Sequence, residues 1–202
     1  MLPDAELFVM AEKMLVEVLG RISDTDTDIV LPPLFDLPGD GHSITIWRAV
    51  EVFVVDDANV PDLLAGREID TAAGEKAAEL LGHHPHDGIA RVAEAAIAAA
   101  GEVSDPDAVV HATYGEVSAR DYLRRLTLTR SFLAHYVAAH LGSTACPLPE
   151  ELARPLWELT EPDAASWRAL GMFHDPLPLP DNVSWRDRFL LRAGHQPHPL
   201  GH

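Results

Sequence analysis

The chain has 202 residues, which is enough for one large domain or two small ones with a sizeable core. Its formal net charge of −17 would repel nucleic-acid phosphates and anionic membrane surfaces, so the composition argues against partners of either kind. The hydrophobic fraction of 47% with only 6% aromatic residues favours helices over a β-sandwich. A single cysteine, Cys146, cannot form an internal disulfide, so we expect a reducing, cytoplasmic location.

The N-terminal third predicts two long helices separated by a loop. The first helix covers residues 3–21, where apolar side chains form one stripe: Leu7, Ala11, Met14, Leu15 and Val18. The segment "DTDTDIVLPPLFDLPGDG" is rich in Asp, Pro and Gly and predicts a loop. The second helix is predicted over 43–60, with Ser43 as its cap and a break before Pro61.

The middle of the chain predicts two further long helices. "TAAGEKAAELLG" predicts a short helix and "HHPHDG" a loop, and the third long helix covers residues 87–100. "VVHATYGEVS" alternates apolar and polar residues around a glycine, which predicts a small extended turn. Ser118 and Asp121 resemble a capping box, so the fourth long helix is predicted over 118–141, ended by Gly142.

The C-terminal quarter predicts shorter helices. "PEELARPLWELT" and "DAASWRALG" are helical in pattern, and a Pro-rich loop leads to a last short helix from about Ser184. No internal repeat and no long linker divides the chain, so residues 1–202 are interpreted as one domain. Four long helices with shorter companions predict an all-α bundle.

The fourth long helix carries two histidines, and their positions around the helix axis decide whether they can share a metal ion. With Tyr122 as reference, the core stripe contains Leu126, Thr129, Leu133, Tyr136 and Val137. The opposite side contains Arg124, Thr127, Ser131, Ala134 and Ala138. His135 falls on the flank and His140 on the core side, about 140° apart, which excludes a shared ion. We expect His135 to be solvated or lightly packed, and His140 to interact with the helix C-terminus.

The remaining histidines form no convincing site. His83, His84 and His86 lie close together in a Pro/Gly loop, which allows weak metal capture. A second group lies in a C-terminal tail that need not be ordered: His195, His198 and His202. Cys146 has no cationic sequence neighbours that would activate it, so a catalytic thiol is not expected.

Three segments resemble the DinB-like superfamily. They are "LPGDGHSITIWRAV", "DYLRRLTLTRSFLAHYVAAHLG" and "ALGMFHDPLPLPDNVSWRDRFLLRAGHQP". The resemblance is to its branch of mycothiol-dependent maleylpyruvate isomerase N-terminal domains. It implies a DinB-like four-helix bundle with up-down-down-up topology and extra short helices. In the enzymes, two histidines and a carboxylate hold a divalent metal, which presents a low-molecular-weight thiol as thiolate.

The resemblance also implies which residues occupy the metal-ligand positions. The position of the second-helix histidine is Val50, and the fourth-helix carboxylate and histidine positions are Thr129 and Leu133. A further Asp position is Tyr136, and Trp47 is expected nearby. These residues predict a degenerate metal site with no cofactor and an apolar pocket floor, with Thr129 as partner of the Tyr136 hydroxyl.

Three interpretations of function follow. The favoured one is a small-molecule-binding or interaction module with a degenerate metal site, although a solid core without a pocket fits the same residues. The alternative is a metal-dependent, mycothiol-using isomerase or transferase that holds zinc or nickel on other residues, such as Glu51, or Ser131 with His135. The third is a homodimer that buries its apolar helix faces.

Overall fold

The computed structural model describes residues 3–35, 42–69 and 76–197, and these ranges are mostly helical. The helices are α1 (Pro3–Leu19), α2 (Ile46–Leu64), α3 (Lys76–Leu81), α4 (Pro85–Glu102), α5 (Ala119–His140), α6 (Glu150–Thr160), α7 (Ala164–Ala169) and α8 (Trp185–Arg192). The strands are β1 (Val30–Leu31), β2 (Ile44–Thr45), β3 (Val109–Ala112) and β4 (Gly115–Ser118). The predicted all-α class is therefore confirmed. None of the helices in the described ranges has the length and apolar character needed to cross a membrane.

Both predicted ends of the second long helix are wrong for local reasons. The second long helix begins at Ile46 because Ile44–Thr45 pairs with Val30–Leu31 as a short antiparallel ladder. It also continues through Pro61 to Leu64. A proline near a helix end removes one backbone bond, and the chain tolerates that loss in the last turn.

The "HHPHDG" segment is only partly a loop. Pro85 begins α4, so His86 and Asp87 lie in its first turn and His84 is the N-cap residue. Proline suits the first helical position because its missing N–H would have no partner there. The short helix predicted over 71–82 is present as Lys76–Leu81, and residues 71–75 lie outside the described residues.

The capping signals around the fourth long helix are confirmed. The Asp121 amide donates to the Ser118 hydroxyl at 3.1 Å, and that hydroxyl donates to the Asp121 carboxylate at 2.8 Å. The extended turn before it is the β3–β4 hairpin, which pairs Val109 with Ser118. Gly142 ends α5 with a φ of 82°, a conformation that favours glycine.

The chain forms two compact units, each made of two separated segments. The first contains residues 1–23 and 47–131. In it, α1 and α3 both pack against α4. Its core contains Phe8 of α1 and also draws on α2, β3 and the first part of α5, through buried side chains such as Val60, Val110 and Leu123.

The second unit contains residues 24–46 and 132–202. Within it, α6 packs against α8, and the rings of Phe132 and Phe189 stack with centroids 5.4 Å apart. Helix α5 contributes residues 119–131 to the first unit and residues 132–140 to the second.

Candidate functional site

The residues at the predicted metal-ligand positions are divided between the two units. Val50 and Thr129 belong to the first unit, with half-buried Trp47, whereas Leu133 and Tyr136 belong to the second. Val50 is 1% exposed and Leu133 is 7% exposed, so neither faces bulk solvent. Neither of these two apolar side chains carries an atom that can ligate a metal.

The hydroxyls of Thr129 and Tyr136 have separate partners. Thr129 donates to the carbonyl of Leu126 at 2.8 Å and accepts from Nη1 of Arg130 at 3.2 Å. The Tyr136 hydroxyl lies 2.9 Å from Nδ1 of His195. The predicted pairing of Tyr136 with Thr129 is therefore wrong, and His195 is the partner.

The face of α5 predicted to point away from the core is buried as well. The buried residues on that face are Thr127, Ser131, Ala134 and Ala138. The hydroxyls of Thr127 and Ser131 donate to the carbonyls four residues earlier, both at 2.8 Å. A hydroxyl that donates to a backbone carbonyl of its own helix can be buried at little cost. The polar residues on this face therefore did not indicate a face that contacts solvent.

The solvent exposures of the two histidines in α5 are the reverse of those predicted. His135 is 5% exposed, and its Nε2 donates to the carbonyl of Gln196 at 2.7 Å. His140 is exposed in the last turn, where Nδ1 donates to the carbonyl of Tyr136. His140 thus satisfies a carbonyl at the helix end, whereas His135 anchors the chain after α8.

His195 lies in the predicted C-terminal tail, yet it is 1% exposed, whereas His198 and His202 lie outside the described residues. Its amide donates to the carbonyl of Leu190 and the amide of Gly194 donates to that of Leu191, at 2.8 and 3.2 Å. These bonds form a Schellman motif, which requires a left-handed residue, and Gly194 has a φ of 85°. The signal that sequence reasoning missed is this glycine directly after the last helix.

Burial keeps the Tyr136–His195 pair neutral. Removal from water, with His174 and His135 nearby, lowers the pKa of His195 to about 3. Burial also raises the pKa of Tyr136 above its usual value. The imidazole packs against Phe132 with ring centroids 4.2 Å apart, and its Nε2 is buried without a hydrogen-bond partner among the described residues. The pair can therefore offer a neutral hydrogen-bonding group at the edge of an aromatic core.

Within residues 3–35, 42–69 and 76–197, no group of three or more His, Cys, Asp or Glu side chains is arranged to hold an ion. No family model, curated protein or solved structure matches this chain. The Tyr136–His195 pair is therefore a candidate site on its own geometry.

The position of His195 depends on Gly194, so Gly194→Ala should disrupt the site. A Cβ there would lie 2.6 Å from Cβ of His174 and 2.7 Å from the carbonyl oxygen of Asp175. We expect a loss of about 1–2 kcal/mol from left-handed strain and about 1–3 kcal/mol more from the clash. Urea denaturation measures the total loss.

Gly142→Ala is the matched control for this variant. Gly142 occupies the equivalent position after α5, with a φ of 82° and nothing within 4 Å of an added Cβ. It should lose only the strain component of about 1–2 kcal/mol. Equal losses in the two variants would show that His174 and Asp175 do not constrain Gly194.

Proposed function

We propose that the chain is a DinB-like helical-bundle protein whose metal site is degenerate, and that it binds a small molecule through Tyr136 and His195. The observation that supports it is that the hydroxyl of Tyr136, a half-buried residue, lies 2.9 Å from the buried imidazole of His195, whose second nitrogen has no partner among the described residues. Buried polar groups are normally satisfied, so an exception at an aromatic edge favours a binding role.

The residue types at the former ligand positions support loss of the metal. Val50 and Leu133 have no donor atom, and the Thr129 hydroxyl is already engaged within α5. Buried apolar side chains contribute about 1.5–3 kcal/mol each to stability. A bundle with such residues can therefore fold without an ion.

In either tautomer of His195, the Tyr136 hydroxyl can form one further hydrogen bond with a ligand, as a donor in one case and as an acceptor in the other. With the proton on Nδ1, the imidazole donates to the Tyr136 oxygen and leaves the hydroxyl free to donate. With the proton on Nε2, Tyr136 donates to Nδ1 and its oxygen can accept a second bond. A neutral hydroxyl, amide or thiol fits both cases, and the resemblance favours a low-molecular-weight thiol such as mycothiol.

The test is calorimetric titration of chelator-treated protein with mycothiol. Wild type should bind, and Tyr136→Phe should raise the Kd about 2–10-fold, the effect of losing one hydrogen bond of about 0.5–1.5 kcal/mol. Tyr114→Phe is the control, because Tyr114 is 44% exposed and belongs to the first unit. Absence of binding by wild type, or equal binding by the Tyr136 variant, would reject the proposal.

The metal-dependent alternative and the proposed oligomeric state are tested by separate measurements. A stoichiometric zinc or nickel ion in protein purified without chelators, with isomerase or transferase activity that requires both the metal and mycothiol, would favour the isomerase or transferase. We also propose a cytoplasmic location, consistent with a buried Cys146 whose pKa burial raises to about 11. Light scattering after size exclusion distinguishes a monomer from the homodimer.

A further inference from the structure

Three helices of the first unit bring charged side chains together in its interior. Arg130 of α5 has a side chain 4% exposed, and the carboxylates of Glu12 in α1 and Asp57 in α2 are fully buried. Nη2 of Arg130 donates to Oδ1 of Asp57 at 2.6 Å, and Nε donates to Oε2 of Glu12 at 3.4 Å. The guanidinium carbon also lies 5.2 Å from the ring centroid of Phe53.

Only one oxygen of each carboxylate takes part in the hydrogen bonds just described. Oε1 of Glu12 and Oδ2 of Asp57 are buried and have no hydrogen-bond partner among the described residues. Two ionised carboxylates against one guanidinium would also leave a net negative charge in the interior. Both an unpaired buried charge and an unbonded buried oxygen are costly.

A single proton removes both costs. We propose that the first unit binds one proton between Glu12 and Asp57, carried on Glu12, so that the buried cluster is neutral around Arg130. A protonated carboxyl donates one hydrogen bond, and the Asp57 carboxylate can accept it. Asp56, whose side chain is 55% exposed, lies 3.7 Å from Nη1 of Arg130 and connects the cluster to solvent.

The surrounding charges favour the same protonation state. Burial and then the charge of Asp57 raise the pKa of Glu12 well above its usual value, and Arg130 only partly opposes them. Burial disfavours a charged guanidinium, but the carboxylates of Asp57, Glu12 and Asp56 outweigh it and raise the pKa of Arg130. The proton therefore belongs on the carboxyl pair, and Arg130 stays charged.

The proton gives stability a definite pH dependence. Because the pKa of Glu12 is raised in the folded state, its contribution is fully present below the unfolded pKa, near the usual value. It is then lost as the pH rises towards the folded pKa. Over that window, one proton changes the unfolding equilibrium by up to about tenfold per pH unit.

The test compares Glu12→Gln with wild type in urea denaturation from pH 5 to pH 9. The amide is a permanent imitation of the protonated acid, because it can donate to Asp57 and accept from Arg130. We expect the unfolding free energy of wild type, relative to this variant, to fall with rising pH at the slope of one proton. The titration of His195 is common to both proteins and cancels in that difference. The variant should be at least as stable as wild type at pH 8. Asp57→Asn keeps an oxygen that can accept from Arg130 but removes the negative charge that balances the guanidinium, and it should be less stable than wild type at every pH.

A carbon-13 NMR titration of the Glu12 carboxyl, assigned by through-bond correlation, measures the protonation state of Glu12 directly in wild type. The expected result is the chemical shift of the protonated acid at pH 7. An ionised Glu12 at that pH, or a stability difference between wild type and Glu12→Gln that does not change with pH, would overturn the proposal. The titration keeps the proposal testable even if a variant fails to fold.

Discussion

Replacing Arg130 with methionine is expected to destabilise the protein by about 3–5 kcal/mol, the usual cost of leaving a buried charge without its partner. The variant keeps an apolar stem of similar length but removes the cation between Glu12 and Asp57. The loss should be larger at pH 8 than at pH 5, because acid neutralises Glu12, whose pKa burial and Asp57 already raise. Urea denaturation followed by circular dichroism at both pH values measures the effect.

Arg124→Met is the matched control on the same helix. Arg124 pairs with Asp4 at 2.7 Å, but its side chain is 30% exposed. A pair that water can screen contributes up to about 1 kcal/mol. If both methionine variants lose the same free energy, burial of the Arg130 cluster has no energetic consequence. Amide hydrogen exchange would show whether the losses are confined to the first unit.

Some caps and terminating glycines marked helix ends correctly, but Ser43 did not, because the β1–β2 ladder delays the start of α2 to Ile46. Ser118, Gly142 and Ser184 all stand where predicted, and Ser184 accepts from the amide of Asp187 at 3.0 Å. The β1–β2 ladder was missed because two residues per strand cannot show a period-two pattern. Two-residue pairing is a product of tertiary contact, which local sequence does not encode.

The candidate site was harder to predict because α5 buries polar side chains. Hydrophobic periodicity assigns serine, threonine and arginine to solvent, yet Thr127, Ser131 and Arg130 are all buried. The hydroxyls bond within the helix, and the guanidinium finds carboxylates from helices more than 70 residues away in sequence. Those partners cannot be inferred from one helix alone.

Removing the ring of Phe132 is expected to destabilise the second unit by about 3–5 kcal/mol, the usual cost of truncating a buried aromatic residue to alanine. Phe132 has no solvent exposure, and its ring centroid lies 6.0 Å from Phe173 and 5.4 Å from Phe189. Its closest ring neighbour is His195, at 4.2 Å. Denaturation followed by tryptophan fluorescence reports mainly on this unit, because Trp157, Trp167 and Trp185 all belong to it.

The same change should alter the titration of His195. Its pKa of about 3 depends chiefly on burial, so water entering the cavity of Phe132→Ala should raise that pKa towards the ordinary value for histidine. Phe132→Leu is the control, because it retains much of the apolar volume and should lose less stability and keep His195 neutral to lower pH. Proton NMR of the imidazole ring follows the titration in both variants. A pKa of His195 that is the same in both would mean that Phe132 does not shield the Tyr136–His195 pair.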